Sequence, residues 1–459
     1  MNRYEKYNNS ELSWSETIPE HWDLKRIARV FDIRKEKNSP IKTKEILSLS
    51  AKYGVSLYSD KKEKGGNKPK EDLTSYNLCY PGDILINCMN IVAGSVGISN
   101  YFGAVSPVYY PLVNMNQDEN CTRYMEYVFR NYDFQRSLVG LGKGIQMSEA
   151  YDGRLYTVRM RISWDMLKTR LLPIPPIKEQ EQIANYLDWK INDIDRLIQL
   201  EKEKIKALEK LKEINFNKII DSSQKNKSIK IKFFANLYGR IGWQGLNSSE
   251  YGNEGVYLIT GTDFYNGTID FSKCVRVPNF RWEQNDKIQI KNGDLLITKD
   301  GTVGKLAIVT NLVKNATLNS GIMKIDFFRN DIVTKEYLFY ILKSNIFKSW
   351  FIDLNAGFAT IIHLYQKDFY NFSFKYPEMR EQEIIVSKIK KLESVFNNQI
   401  AKVEESIKAL ELLKQSLISE VVTGKIDVRN IVIPDYEKVT LLDDETEEFD
   451  EKEGIEDGD

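Results

Sequence analysis

The segment GRIGWQGL (239–246) sets Arg240, Trp243 and Gln244 among three glycines. A guanidinium fork, an indole ring and a carboxamide can grip phosphate, stack on a flat ring and read donor–acceptor edges. The glycines let backbone approach a ligand closely. TKDGTVGK (298–305) places Lys299, Thr302 and Lys305 around a turn between two strand-like runs. GLGKGIQ (140–146) holds Lys143 and Gln146 between Gly140, Gly142 and Gly144, and ATIIHLYQKDF (359–369) offers His363 and Gln366. DKKEKGGNKPKED (60–72) carries Lys61, Lys62, Lys64, Lys68 and Lys70. Each set also has a plainer reading. Trp243 suits a core, Arg240 a surface ion pair, 298–305 a simple hairpin, His363 a satisfied core position, and the lysines and 140–146 solvated loops.

Chemistry of bond making is poorly provided for. GxxxxGK[ST], the loop that cradles nucleotide phosphates, is absent. So is the [ND]PP[YF] sequence that amino-methyltransferases use on a flipped base. No His/Cys/Asp cluster has metal-ligand spacing, and two histidines leave acid–base catalysis few candidates. No cofactor is expected.

These side chains need elements to hold them, and 459 residues leave room for two to four domains. A hydrophobic share of 42% with 12% aromatics can fill real cores. No apolar run reaches 18 residues, and MNRYEKYNNSELSWSE lacks the apolar stretch of a signal peptide. Cys79, Cys88, Cys121 and Cys274 are scattered, so free thiols in a reducing cytoplasm are expected, with no membrane partner. The net charge of zero hides an asymmetry. The stretch from Leu441 to Asp459 holds eleven acidic residues and one lysine. Without it the body has 64 basic against 54 acidic residues, a charge of +10, which is compatible with a polyanionic partner. The acidic stretch reads as disordered, and either inert or able to screen the basic body.

A repeat organises the chain. IKALEKLK (205–212) returns as IKALELLK (407–414), 202 residues later. At the same offset Pro175 matches Pro377, and KEQEQIANYL (178–187) matches REQEIIVSKI (380–389). Both copies read as long helices: proline just before, acidic residues in the first turn, and TGK (423–425) as a glycine stop for the second. Phe396, Ile400, Val403, Ile407, Leu410, Leu417 and Val421 form a coiled-coil seam broken by Lys414. The first copy gives Ile194, Ile198, Ile205, Leu208 and Ile219, interrupted at Glu201 and Lys212. Two such helices most naturally pack on each other.

The segments ahead of each helix echo one another as well. Gly82-Asp83 answers Gly293-Asp294, GSVG (94–97) answers GTVG (301–304), and YMEYVFRNYDF (124–134) answers YLFYILKSNIF (337–347) as an amphipathic helix. Short β-branched and aromatic runs such as EGVYLITG and GDLLITKD make each globular half mixed α/β.

TIPEHWDLKRIARVF (17–31), LPIPPIKEQEQIANYL (172–187), GRIGWQGL, NGDLLITKDGTVGK (292–305) and LISEVVTGKID (417–427), with the repeat, resemble the specificity subunit of type I restriction–modification systems. The resemblance covers residues from about 11 to 428. It implies an α+β fold: two α/β target-recognition domains separated by a pair of long antiparallel coiled-coil helices, with a pseudo-twofold internal repeat. The implied boundaries are 1–172 for the first recognition domain and 173–222 for the central helix. The second recognition domain then takes 228–374, the distal helix 375–425, and an acidic tail 426–459. The implied role is non-catalytic. Each domain reads one half of a bipartite double-stranded DNA target, while the helices set the spacer. Two methyltransferase subunits dock on the helices, and two restriction/translocase subunits join through them. On that footing Lys143, Gln146, Arg240, Trp243, Gln244, Lys299, Thr302, Lys305 and His363 are the expected DNA-binding residues. The first turns KEQEQ and REQE either complement their helix dipoles or mark the paired docking sites. A stand-alone DNA-modifying enzyme with an undetected site, or a coiled-coil scaffold that never touches DNA, are the rival readings.

Overall fold

Pro175 and Pro176 stand immediately before a 46-residue helix, Ile177–Ser222, and Pro377 stands two residues before a 44-residue helix, Met379–Val422. Proline fixes φ for helix entry and needs no amide partner there, while Leu, Lys, Glu and Gln inside lose little rotamer freedom. The second helix ends where the sequence placed its stop. Gly424 takes φ +71°, and the amides of Lys425 and Ile426 fold back onto the Glu420 carbonyl. The computed structural model describes residues 2–51, 53–60, 69–142, 147–149, 155–157, 160–222, 227–240, 246, 250–355 and 363–439.

The chain forms two units, one from Met1–Lys204 with Val403–Asp459 and the other from Ile205–Lys402. In the first, four antiparallel strands lie in the order Phe31–Ile33, Tyr109–Asn114, Ile84–Asn87, Val96–Ile98. Strand Asp23–Arg26 pairs with Leu171–Ile174, which delivers the chain to the long helix. Helix Thr122–Arg130 buries Tyr124, Met125, Val128 and Phe129 against this core.

The second unit repeats the plan. Its four antiparallel strands run Ala235–Gly239, Ile322–Phe327, Leu295–Thr298, Leu306–Ile308. Ser228–Lys230 pairs with Ser373–Lys375 ahead of the second long helix, and helix Lys335–Lys343 buries Tyr337 through Leu342. This unit adds a three-stranded sheet, with Val256–Ile259 antiparallel to Arg276–Val277 and parallel to Ala316–Leu318.

The sequence echoes have structural causes. Gly82 and Gly293 both take positive φ (+90° and +86°), a backbone state that costs glycine little. The next residues, Asp83 and Asp294, each accept a backbone N–H three residues back at 2.9 Å. Each carboxylate is also paired, Asp83 with Arg34 at 2.8 and 2.9 Å and Asp294 with Lys324 at 3.1 Å. Gln180 and Gln382, 202 residues apart, do the same work twice. Each is fully buried; Gln180 accepts from Cys121 N, and Gln382 from Thr334 N, at 2.9 Å. Each donates to the carbonyl five residues earlier and to one just before the amphipathic helix, Glu119 or Ile332. The glutamine in each first turn is therefore a staple between the long helix and its unit.

Stretches of both long helices pack antiparallel inside each unit. In the first, Ile194 and Ile198 share a core with Leu410, Leu417, Ile418 and Val421. Lys414, which breaks the apolar seam, places Nζ 2.6 and 2.8 Å from the two Asp195 carboxylate oxygens. In the second, Phe216, Ile219 and Ile220 pack with Ile385, Val386, Ile389 and Leu392, and Lys212 donates to Asn397 Oδ1 at 3.2 Å. The expected α+β class with paired long helices holds. Residues 426–439 lie along the first long helix, with Ile431 and Ile433 packed on the core, because apolar side chains continue past the helix stop. Residues 440–459, which include the acidic stretch, lie outside the described residues.

Candidate nucleic-acid interface

One corner of the second unit collects four of the five expected residues that the structure describes, Lys299, Thr302, Lys305 and His363. Residues 298–305 turn between strands Leu295–Thr298 and Leu306–Ile308. Thr298 Oγ1 closes the turn, donating to the Thr302 carbonyl at 2.6 Å and accepting from Lys305 N at 2.9 Å. Gly301 and Gly304 sit at φ +68° and +89°, so glycine is what the turn needs there. Two other segments are tied to this turn. The Lys299 amide donates to the Gly321 carbonyl at 2.8 Å, and the Leu364 amide to the Lys299 carbonyl at 2.9 Å. His363 Nδ1 lies 2.6 Å from Asp300 Oδ1, so 363–366 is fastened by side chain as well as by main chain. Lys305 Nζ donates to the Gly261 carbonyl at 3.1 Å and brings in the loop after strand Val256–Ile259.

The expected residues thus divide by task. Lys299 is held through its main chain, and its ammonium has no hydrogen-bond or ion-pair partner among the described residues. Thr302 is exposed at the tip of the turn. His363 is partly exposed beside Tyr365, a residue 57% exposed whose ring centroid is 5.9 Å away. Lys305 spends its ammonium on an internal tie. Arg240 faces inward: it is 4% exposed, and its Nε and Nη2 donate to the Leu318 carbonyl and Thr317 Oγ1 at 2.8 and 3.0 Å. Burial lowers its pKa from the ordinary value, with the nearby Arg281 charge acting in the same direction. Arg240 is thus a buried side chain and not the exposed fork that its loop suggested. Lys143, Gln146, Trp243 and Gln244 lie outside the described residues, as do Lys61, Lys62, Lys64 and Lys68.

Asp300 and Tyr365 are corner residues that the sequence did not single out. Asp300 sits inside the quoted TKDGTVGK, and its pairing with a residue 63 positions away leaves no local signal. The second histidine, His21, is structural. Its Nε2 lies 2.8 Å from Glu179 Oε2, while Glu179 Oε1 accepts from Tyr4 and Trp22 at 2.6 and 3.0 Å. Among the described residues no cluster of His, Cys, Asp and Glu can hold a metal ion, and no helix is long and apolar enough to cross a membrane. A polar, cationic, partly aromatic corner of this kind suits phosphate and base edges.

Comparison with known proteins agrees with the sequence resemblance. Residues 213–409 match the family model "Type I restriction modification DNA specificity domain". A putative type I restriction enzyme specificity subunit (MjaX) of Methanocaldococcus jannaschii is 23% identical over 93% of this chain and 97% of its own length. The MjaVIII specificity subunit of that organism is 24% identical over 57% of this chain, a match spanning 63% of the relative. A chain from a structural study of complex assembly and conformational transition in a type I R-M system superposes with a TM-score of 0.63. It is 14% identical, with 89% of this chain and 99% of that one covered, a likeness of fold. The resemblance to type I specificity subunits stated from the sequence is borne out.

Proposed function

We propose that this chain, a relative of type I restriction enzyme specificity subunits along nearly its whole length, is the DNA-recognising member of such a system and serves host defence in the cytoplasm. The chain is non-catalytic; methylation and cleavage belong to the methyltransferase and restriction subunits with which it acts. Each unit reads one half of a bipartite duplex target, with the long helices setting the unread gap, and two copies of each partner complete the assembly. The recognition domains are 1–172 and 228–374.

The observation that carries this reading is the duplicated unit. Four strands in the same order, the same glycine–aspartate turn and the same glutamine staple recur, while the connecting segments diverge in sequence and in the three-stranded sheet that the second unit adds. A repeated scaffold with diverged loops is what two readers of unlike half-sites require. Within the second unit, Lys299, Thr302 and His363 face DNA directly, and Lys305 and Arg240 support the loops that carry them. Lys143, Gln146, Trp243 and Gln244 complete the proposed set.

Mapping methylated bases in cells that express the complete system tests the reading. A motif with two half-sites and a fixed gap is expected. Methylation without any enriched motif, or turnover by the isolated chain given ATP, S-adenosylmethionine and Mg²⁺, overturns it.

A further inference from the structure

The chain beyond Gly424 turns back and runs beside the first long helix, held mainly through its backbone. Gln182 Nε2 donates to the carbonyls of Val428 and Ile431 at 3.0 and 2.7 Å. Further along the same helix, Asn192 grips both ways: its Nδ2 donates to the Glu437 carbonyl at 3.0 Å and its Oδ1 accepts from Val439 N at 2.8 Å. Ile431 and Ile433 pack on the core between these points, whereas Val432 between them is 87% exposed. Two carboxamides on one helix, both engaging main-chain atoms, form a clamp for an extended peptide.

The repeat makes this clamp asymmetric. At the offset of 202, Gln182 corresponds to Ile384 and Asn192 to Ser394 on the second long helix. An apolar side chain and a short hydroxyl thus stand where the two carboxamides would be, and neither can reproduce the clamp. On that helix Ile384 and Val395 are 48% and 46% exposed. After the first long helix the chain enters strand Ser228–Lys230 and pairs with Ser373–Lys375, so it does not return along a helix as residues 428–439 do. One of two repeat-related helix faces carries a strap, and the other carries none among the described residues.

We propose that residues 428–439 are a cis-acting strap that covers the helix face on the first unit only, so the two methyltransferase docking sites of this chain are unequal. This rests on the partner reading above. A segment tethered to its own clamp competes at high effective concentration, so a partner meets the face without the strap first and must displace or ride over the strap at the other. Assembly then passes through a one-methyltransferase intermediate.

Titration of the methyltransferase subunit of the same system onto the full chain, followed by native mass spectrometry, reads the two affinities separately. With the statistical factor for two equivalent sites removed, the full chain is expected to bind its first copy about tenfold more tightly than its second. A chain ending after Asn430, and the full-length double variant Gln182→Ala/Asn192→Ala, should narrow that gap to about twofold. A chain ending after Val439, which keeps the strap and loses the acidic stretch, should retain it. Equal sites in the full chain, or a gap unchanged in both strap variants, overturns the inference while leaving the partner reading intact. Failure of every form to bind methyltransferase sinks the partner reading, and this inference with it.

Discussion

Arg240 donates to a carbonyl and a hydroxyl of strand Ala316–Leu318 from a buried position, so its loss strands two acceptors in the interior. Arg240→Ala should lower stability by roughly 1–3 kcal/mol, measured by denaturant unfolding. Lys299 carries no such duty among the described residues. Lys299→Ala should leave the unfolding midpoint in place, weaken binding to all DNA sequences alike and reduce the salt slope of affinity by about one. The reverse outcome, an unstable Lys299 variant and a stable Arg240 variant with relaxed target specificity, would exchange their assigned tasks. Both cations stood in glycine-bearing loops in the sequence, where nothing local separates an inward guanidinium from an outward ammonium.

At the scale of elements, the interrupted seam of the second long helix has a partner-based explanation. Lys414 sits where a leucine would continue the heptads, and Asp195 on the first long helix neutralises it. Lys414→Leu alone leaves the partly buried Asp195 carboxylate without this partner and should cost about 1–3 kcal/mol. Adding Asp195→Leu should recover most of that loss, because apolar packing substitutes well for a partly buried ion pair. Thermal unfolding of the two single variants and the double variant completes the cycle, and additive losses would show that the pair is not coupled. The helix stop is as specific. Gly424 takes positive φ, and an added Cβ would lie 2.4 Å from Pro19 Cγ and Cδ. Gly424→Ala should therefore destabilise by roughly 2–3 kcal/mol, more than an exposed helix end would.

At the scale of the molecule, the duplication predicts separable reading. Replacing residues 1–172 by the corresponding domain of a type I specificity subunit should, on the proposed reading, change one half of the methylated motif and preserve the other half and the gap. Methylome sequencing scores all three at once. A change in both halves would mean that the units do not read independently.

Much of the architecture was legible because helices and repeats are written in local pattern. Proline entries, the glycine stop, the heptad seam and the 202-residue offset come from short-range periodicity, and a pattern that occurs twice is hard to mistake. The Gly-Asp turns were legible for the same reason, since each is closed within three residues. What tertiary structure decided were the long-range partners. Gln180 and Gln382 read as helix-start residues beside candidate dipole or docking groups, yet each is a buried staple to a segment about fifty to sixty residues away. His363 met Asp300 across 63 residues, and Gln182 and Asn192 met a strap roughly 245 residues downstream. Sequence alone fixes which groups a chain owns and which secondary structures carry them. Whether a cation or amide faces solvent, a buried carbonyl or a returning segment of its own chain depends on packing that brings distant segments together, and that has no local signature.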